Sequence, residues 1–433
     1  MLGIIIFIIM LLAEVGITAY CLVTKSYQKR TRGIVICSVF TLMLGLLLFG
    51  VLNWGFRWFM LTLILFCKTV LAVMYFIRQN KQKIKTYHPK YVILAGIRNC
   101  FLIGFAILPA IMFPQFKPLA ITGNYPVETV SYTMEDTNRM ETFSDQAEHR
   151  KVTIQFWYPK AENEVFPLAV FSHGSFGFRG SNASTFEELA SNGYVVCSID
   201  HTYHAFFTKQ TDGKMTIANM DFINDAIAVT NGDYDEQKAY ELTRQWLELR
   251  SQDMNFILDS VLEQVKTPSS DEVYHLIDPD KIGLFGHSLG GATAAELGRE
   301  RKDIDAVIVV DGTMLGEEVA FQDGKTVLND ETYPVPLLNL YNEEHFAEAG
   351  QIGMDYANTF ASANAVDARD IVIKGAGHLN FTDLPLFSPT LAGMLGTGEV
   401  DSRYCIDTMN HIILVYFNHY LKGVEAIDLT SQY

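Results

Sequence analysis

Residues 281–292 have the sequence Lys-Ile-Gly-Leu-Phe-Gly-His-Ser-Leu-Gly-Gly-Ala. The apolar run at 282–285 leads directly into Gly-His-Ser-Leu-Gly at 286–290, and small residues follow. A G-x-S-x-G sequence between a strand and a helix is typical of a tight nucleophile turn, which exposes the serine hydroxyl at the end of a sheet. Glycine suits both outer positions because side chains there would collide with neighbouring backbone. The pattern predicts Ser288 as a catalytic nucleophile.

On both sides of this turn, from residue 151 onwards, short apolar runs alternate with helix-like segments. The strand-like runs are 152–158, 168–172, 194–199, 282–285, 306–310, 335–341 and 370–373, and the helix-like segments are 184–192, 236–264, 288–299, 344–361 and 408–421. Short continuous apolar runs suit strands that are buried on both faces. Their alternation with helices predicts an α/β domain at 151–433, with a mainly parallel sheet between helices on both faces. Residues 117–150 are polar and irregular, and we predict that they form a linker.

A serine nucleophile needs a base, and the base needs a carboxylate to orient it. His378 follows the run at 370–373 through a glycine loop, so we predict that it is the base. Two positions are candidates for the acid: Asp311 directly after the run at 306–310, and Glu343 or Glu344 after the next run. Both give the chain order serine, acid, histidine. The residue pattern alone leaves this choice open.

The developing oxyanion requires two backbone amides. One is predicted to be that of Leu289, at the start of the helix after the serine. The other is predicted to be that of Ser175, in the His-Gly-Ser turn that follows the run at 168–172.

The N-terminal region differs sharply from the rest of the chain. Residues 1–116 contain one acidic residue and 12 Lys or Arg, a net charge of +11, whereas residues 117–433 have 48 acidic residues and 21 Lys or Arg, a net charge of −27. Apolar stretches lie at about 2–23, 34–54, 57–77 and 91–113. Since about 20 apolar residues span a bilayer as a helix, residues 1–116 are predicted to form an all-α, four-helix transmembrane region.

Basic residues in the short loops predict the orientation of this region. The loop after the first stretch contains Lys25, Lys29, Arg30 and Arg32, and the loop after the third contains Arg78, Lys81, Lys83, Lys85 and Lys90. Both loops are therefore expected in the cytoplasm, which places the large C-terminal domain outside it, in a multi-pass plasma-membrane protein. The net charge of −27 argues against a nucleic-acid partner, which would need clustered cations.

Charged residues within the apolar stretches are costly in lipid unless they are paired. Glu14 and Lys68 are expected at similar depth, so we expect Glu14 to pair with Lys68 or with Arg98. The six cysteines show neither a disulfide framework nor metal-ligand spacing. We predict no metal and no organic cofactor.

Three sequence blocks resemble the plasma and type II platelet-activating-factor acetylhydrolases of the α/β-hydrolase superfamily. They are Phe-Ser-His-Gly at 171–174, Gly-His-Ser-Leu-Gly-Gly at 286–291, and Val-Asp-Gly at 310–312 together with Lys-Gly-Ala-Gly-His-Leu-Asn-Phe at 374–381. The resemblance covers about 150–425 and does not extend to the four apolar stretches. It implies an α/β-hydrolase fold, favours Asp311 as the acid, and places the oxyanion amides at Leu289 and Ser175.

The resemblance implies a serine carboxylic ester hydrolase that acts on lipid-like esters with short or oxidised acyl chains. Substrate contacts are expected from His287 and Phe176, which flank the predicted nucleophile and oxyanion turn, and from Phe381 and Leu384 in the apolar segment after His378. We expect the segment at 381–395 to form an acyl-binding site, to contact lipid or to pack within a cap. Alternatives are a dienelactone-hydrolase-like or general esterase, an acyltransferase, and a non-catalytic membrane sensor or scaffold.

Overall fold

A computed structural model describes residues 2–78, 86–424 and 426–433. Lys81, Lys83 and Lys85, which belong to the second predicted basic loop, lie outside the described residues. The chain divides into two compact units. The first contains Met1–Lys117 and Leu386–Leu391, and the second contains Pro118–Pro385 and Ala392–Tyr433.

Among its described residues, the first unit contains four helices that are long and apolar enough to cross a membrane. They are α1 (Leu2–Val23), α2 (Lys29–Leu48), α3 (Phe56–Ile77) and α4 (Pro89–Met112). The predicted all-α region is therefore confirmed, although α2 differs from the predicted 34–54. It ends early because Gly50, with a φ of 70°, turns the backbone into the left-handed region directly after the helix.

A buried polar cluster joins these helices. Glu14 forms an ion pair with Arg32 at 2.9 Å and accepts a hydrogen bond from the Asn99 Nδ2 amide at 3.0 Å. The Lys68 ammonium donates to Asn99 Oδ1 at 3.0 Å. The expected pairing of Glu14 with Lys68 or Arg98 was wrong: an amide both donates and accepts, so Asn99 bridges the anion and the cation.

The second unit contains twelve strands among its described residues. They are β1 (Val127–Met140), β2 (His149–Pro159), β3 (Phe166–Ser172), β4 (Val195–Asp200), β5 (Phe207–Lys209), β6 (Met215–Ile217), β7 (Ile277–His287), β8 (Ala306–Val310), β9 (Glu318–Gln322), β10 (Lys325–Leu328), β11 (Leu337–Asn342) and β12 (Ala368–Ile373). Eight of them form one sheet in the order β1-β2-β4-β3-β7-β8-β11-β12. The pairings from β4 to β12 are parallel, which confirms the predicted mainly parallel α/β sheet.

Strand β1 corrects the predicted linker at 117–150. It pairs antiparallel with β2 along most of its length, so the sheet begins well before residue 151. Its sequence, Val-Glu-Thr-Val-Ser-Tyr-Thr-Met-Glu-Asp-Thr-Asn-Arg-Met, is polar because it forms the edge of the sheet. An edge strand with one partner does not need the continuous apolar run of a central strand.

Helices of the second unit cover both faces of the sheet. They are α5 (Ala183–Ser191), α6 (Met220–Asn231), α7 (Glu236–Val265), α8 (Glu272–His275), α9 (Leu289–Glu300), α10 (Glu343–Ile352), α11 (Ala357–Ala363), α12 (Leu384–Phe387), α13 (Pro389–Leu395) and α14 (Ser402–Lys422). Residues 386–391, which include parts of α12 and α13, belong to the first unit. On one face, Val170 and Leu284 belong to a core cluster with Met254 of α7. On the other, Phe171 and Phe285 pack with α5 and α14. Successive strand residues point to opposite faces, so both layers are anchored by the same strands.

Candidate active site

The turn between β7 and α9 holds Ser288 in a strained backbone conformation. Its φ of 56° lies in the left-handed region, which is uncommon for a residue with a side chain. The Ser288 amide donates to the Val310 carbonyl of β8 at 2.8 Å, which fixes the turn on the neighbouring strand. A Cβ atom at Gly286 would collide with the Gly290 carbonyl, and one at Gly290 with the Ser172 carbonyl. Glycine is therefore required at both positions for this turn to close.

Asp311 and His378 meet at the carboxyl ends of two other strands. Asp311 directly follows β8, and His378 lies in the loop after β12. The His378 Nδ1 and Asp311 Oδ2 atoms are 2.6 Å apart, so the imidazole donates to the carboxylate through Nδ1. The Asp311 side chain is completely buried, whereas the His378 side chain is 43% exposed. The second ring nitrogen of His378 remains available to accept a proton.

Asp311 also accepts hydrogen bonds from two residues that the sequence did not single out for the site. The Asn342 amide donates to Oδ1 at 2.9 Å and the Asn342 side chain to Oδ2 at 2.6 Å, while His345 Nδ1 donates to Oδ1 at 2.9 Å. Burial alone would raise the pKa of Asp311, but the hydrogen bonds from His345 and His378 lower it below its usual range. The carboxylate is therefore ionised at neutral pH.

His345 extends this network away from His378. Its Nε2 atom lies 2.5 Å from the Tyr356 hydroxyl, which lies 2.9 Å from the Thr313 hydroxyl. The sequence assigned His345 only to the start of a helix. The available signal was its place three residues after the end of β11, the strand that pairs with β8 and so lies beside Asp311.

The alternative acids lie elsewhere. Glu343 and Glu344 are exposed on the first turn of α10, and the Glu343 carboxylate accepts a hydrogen bond from the Gly375 amide at 2.8 Å. Of the three carboxylates left open by the residue pattern, Asp311 is the one bonded to His378.

One predicted oxyanion amide lies in the turn after β3, and the other lies at the start of α9. Gly174, directly before Ser175, packs so closely that a Cβ there would be 3.3 Å from the Ser288 Cβ. Leu289 is the first residue of α9. Neither the Ser175 nor the Leu289 amide has a hydrogen-bond acceptor in the part of the chain that the structure describes. Both amides are therefore without a protein acceptor in this part of the chain, as the predicted oxyanion role requires.

The expected substrate contacts have different environments. Phe176 is 50% exposed beside the Ser175 turn, and Leu384 is partly buried. Phe381 is completely buried, because the turn after His378 packs it inward and Asn182 Nδ2 donates to its carbonyl at 2.6 Å. Its predicted contact with substrate therefore does not fit the structure.

His287 supports the predicted base. Its ring packs against His378 with centroids 4.5 Å apart, and its Nε2 donates to the His378 carbonyl at 3.1 Å. Burial, and then the neighbouring His378, lower the pKa of His287 to about 3, so its ring is neutral at physiological pH. The residue predicted to touch substrate instead fixes the backbone of His378.

The Ser288 hydroxyl has no hydrogen bond among residues 2–78, 86–424 and 426–433. Catalytic hydrogen bonds are often long before substrate binds and shorten in the reacting complex. The structure thus brings Asp311 and His378 together, but it shows no hydrogen bond between His378 and Ser288.

A second serine, histidine and aspartate set lies in the interior. The Ser172 hydroxyl is 2.9 Å from His201 Nε2, and His201 Nδ1 is 3.2 Å from Asp253 Oδ2. All three residues are completely buried, and Arg150 forms an ion pair with Asp253 at 2.7 Å. A buried set without access for an ester is a structural network.

The sheet order, the strained serine turn after β7 and the loops at the carboxyl ends of β8 and β12 define an α/β-hydrolase. A ferulic acid esterase from Streptomyces cinnamoneus has a similar fold, with a TM-score of 0.56 and 22% identity, over 72% of this chain and 95% of that one.

Residues 155–428 match the family model of platelet-activating factor acetylhydrolase, isoform II, and the chain belongs to this family. The canine platelet-activating factor acetylhydrolase is 27% identical over 288 residues, which is 62% of this chain and 60% of the relative. The bovine protein is 28% identical over 61% of this chain and 59% of the relative. The chain therefore spans about 60% of the length of these curated relatives.

Proposed function

We propose that this protein is a membrane-anchored serine ester hydrolase that cleaves lipid-like esters with short or oxidised acyl chains. The observation that carries the proposal is the bonded pair of Asp311 and His378 at the same sheet edge as the strained Ser288 turn. Family membership and the esterase fold support the same chemistry. The relatives are named as acetylhydrolases, which favours a short acyl group.

In the proposed mechanism, Ser288 Oγ attacks the ester carbonyl carbon while His378 Nε2 accepts the hydroxyl proton. The buried, ionised Asp311 keeps Nδ1 protonated and stabilises the imidazolium. The amides of Leu289 and Ser175 donate to the oxyanion of the tetrahedral intermediate. His378 then protonates the departing alcohol, and water, activated by the same imidazole, releases the acyl group as a carboxylic acid.

The four apolar helices support an anchoring role in the plasma membrane. The catalytic unit is proposed to lie outside the cytoplasm, following the distribution of basic residues in the short loops of the first unit. Covalent anchoring suits a strongly acidic catalytic unit, because an anionic lipid surface would not attract it by charge.

The test combines covalent labelling with hydrolysis by the full chain in detergent. A fluorophosphonate should label one peptide, the one that contains Ser288, and Ser288→Ala should abolish labelling and lower kcat/KM by at least about 10³-fold. Acetyl and short oxidised acyl phospholipids should be cleaved at least about tenfold faster than their palmitoyl counterparts.

Several outcomes would contradict the proposal. Labelling at Ser172 in place of Ser288 would show that the reactive serine belongs to the buried network of Ser172, His201 and Asp253. A wild-type protein that neither labels nor hydrolyses any ester would favour a non-catalytic scaffold. Acyl transfer to added glycerol in place of water would identify a transferase that uses the same acyl-enzyme.

A further inference from the structure

Arg250, on α7, is completely buried directly behind the turn that contains Ser175. Its Nη1 donates to the His173 carbonyl at 2.5 Å, and its Nη2 lies 3.4 Å from the carbonyls of both Gly174 and His204. Its Nε lies 3.4 Å from His204 Nδ1. The guanidinium therefore binds two successive carbonyls of the oxyanion turn.

Arg250 has no carboxylate partner within ion-pair distance among the described residues. The nearby Asp253 is already bound by Arg150 and Arg139, at 2.7 and 2.9 Å, and by His201. Burial lowers the pKa of Arg250 to about 9, so the group still carries its charge at neutral pH. A buried cation without a directly bonded carboxylate is costly unless hydrogen bonds compensate, and those of Arg250 go to the oxyanion turn and to His204.

The geometry of the peptide bond connects Arg250 to the proposed oxyanion site. In a trans peptide, the carbonyl of one residue and the N–H of the next point in opposite directions. The Gly174 carbonyl is bound by Arg250, by His173 Nδ1 at 2.7 Å and by the Gly177 amide at 3.0 Å. The Ser175 N–H in the same peptide unit must therefore point away from α7.

The neighbouring peptide unit is fixed in the same way. Arg250 is the side chain that binds the carbonyl of His173, and the His173 ring can bind the Gly174 carbonyl only if its Nδ1 is protonated. Its Nε2 correspondingly accepts from the His201 amide at 3.4 Å. Burial lowers the pKa of His173 well below its usual value, so the ring is neutral and Arg250 supplies the positive charge behind the turn.

We propose that Arg250 is a positioning residue that orients the Ser175 amide toward the oxyanion and places a fixed positive charge behind it. The inference rests on the proposed function, because it assigns Arg250 to the hydrolytic site. Loss of an oxyanion donor usually lowers kcat by about 10²- to 10³-fold with little change in substrate binding. A misoriented amide should cause a smaller loss of the same kind.

The test compares Arg250→Met with Arg299→Met in the full chain. Arg299 is a matched control, because it is also largely buried but donates its guanidinium hydrogens to Glu317, away from the oxyanion turn. Fluorophosphonate titration counts the reactive Ser288 sites, and kcat is expressed per titrated site. This normalisation removes any loss that results only from a smaller folded fraction.

Arg250→Met should lower kcat per site by about 10- to 100-fold, leave KM within about threefold, and slow phosphonylation of Ser288 by a similar factor. Arg299→Met should leave kcat per site within about twofold. An Arg250→Met protein with wild-type kcat per site, or one in which only KM changes, would overturn the assignment.

Arg250→Lys provides a second variant, because it keeps the charge but loses the planar fork that reaches several carbonyls. The kcat per titrated site of Arg250→Lys should lie between the values for the wild type and for Arg250→Met. If both variants are recovered only unfolded, the residue acts in folding and the proposal is rejected. If wild type shows no hydrolysis that depends on Ser288, the proposed function itself fails, whatever the Arg250 variants do.

Discussion

Asp311 is held from several directions, which makes its orientation a property of the surrounding loops. It follows β8 with a φ of 51°, and its two oxygens accept bonds from Asn342, His345 and His378. Such a backbone conformation is costly for a residue with a side chain. The cost is offset by the bonds that aim Oδ2 at His378.

Asp311→Asn should lower kcat/KM by about 10³- to 10⁴-fold while the protein remains folded. The amide removes the negative charge that stabilises the imidazolium, and its NH₂ group favours the wrong tautomer of His378. Steady-state hydrolysis by purified protein measures the effect. Glu343→Gln is the matched control and should remain within about threefold of wild type, because Glu343 binds the Gly375 amide. Equal losses in the two variants would contradict the assignment of Asp311.

Residues whose environment is local could be predicted, and residues brought together by strand order could not. Ser288 and His378 could be proposed as candidates because each follows a strand-like apolar run and a short segment that contains glycine. The choice between Asp311 and Glu343 depends on which strand end faces the His378 loop, and the residue pattern left it open. His345 was missed because its bond to Asp311 follows from the pairing of β8 with β11.

The N-terminus of α5 holds the loop that contains His378. Asp383 accepts hydrogen bonds from the Ser184 amide at 2.8 Å and from the Ser184 hydroxyl, and its own amide donates to the Ser181 carbonyl at 2.8 Å. Asn182 donates to the Phe381 carbonyl. Burial raises the pKa of Asp383 to about 7, although the Ser184 bonds lower it in part. The loop that contains the proposed base is therefore held at α5 by a carboxyl group, that of Asp383, whose pKa lies near neutral pH.

Asp383→Asn should flatten the dependence of stability on pH. The folded wild type keeps the Asp383 proton up to about pH 7, whereas the unfolded chain releases it near pH 4. The wild-type free energy of unfolding should therefore fall as pH rises from about 5 to 7, by up to about 1.4 kcal/mol per pH unit relative to the variant. Thermal unfolding of the full chain across this range measures the difference.

Asp401→Asn serves as the control for this experiment. Asp401 is an exposed cap that accepts from the Tyr404 amide at the start of α14, so its carboxylate remains in water. This variant should keep the wild-type pH dependence. A constant offset between wild type and Asp383→Asn at every pH would rule out a role for the buried proton.

Central strands and long helices could be predicted from their apolar patterns, whereas the edge strand β1 and the break between α10 and α11 could not. The predicted helix at 236–264 corresponds to α7, but the segment predicted at 344–361 contains two helices, α10 and α11. Gly353, with a φ of 68°, ends α10 in a conformation that a helix cannot continue. Strand β1 was missed because the edge of the sheet tolerates polar residues on both faces.

The two units differ in charge as well as in fold. Residues 1–116 have a net charge of +11 and residues 117–433 a net charge of −27. Basic loops are retained in the cytoplasm, and an even number of spans places both ends of the bundle on the same side. The charge distribution thus makes a prediction about which side of the membrane contains the hydrolase.

Cysteine labelling in intact cells tests this topology. Asp212→Cys, in an exposed turn of the second unit, should react with a membrane-impermeant maleimide without permeabilisation. Lys25→Cys, exposed in the first basic loop, should react only after permeabilisation. The unsubstituted chain gives the background, and Cys197 and Cys405 in the second unit are buried. The reverse pattern would place the hydrolase in the cytoplasm.

The polar segment ahead of residue 151 has a practical consequence for separating the second unit from the four apolar helices. Tyr132 on β1 packs against Phe156 and Tyr274, and Thr122 binds the Glu188 carboxylate of α5 through its amide at 2.8 Å. Cleavage after residue 150 would remove β1 and the Thr122 contact. Strand β2 would then become an exposed sheet edge that can pair with another copy of the chain. A protease site intended to release the second unit with its sheet intact therefore belongs ahead of Pro118, where that unit begins.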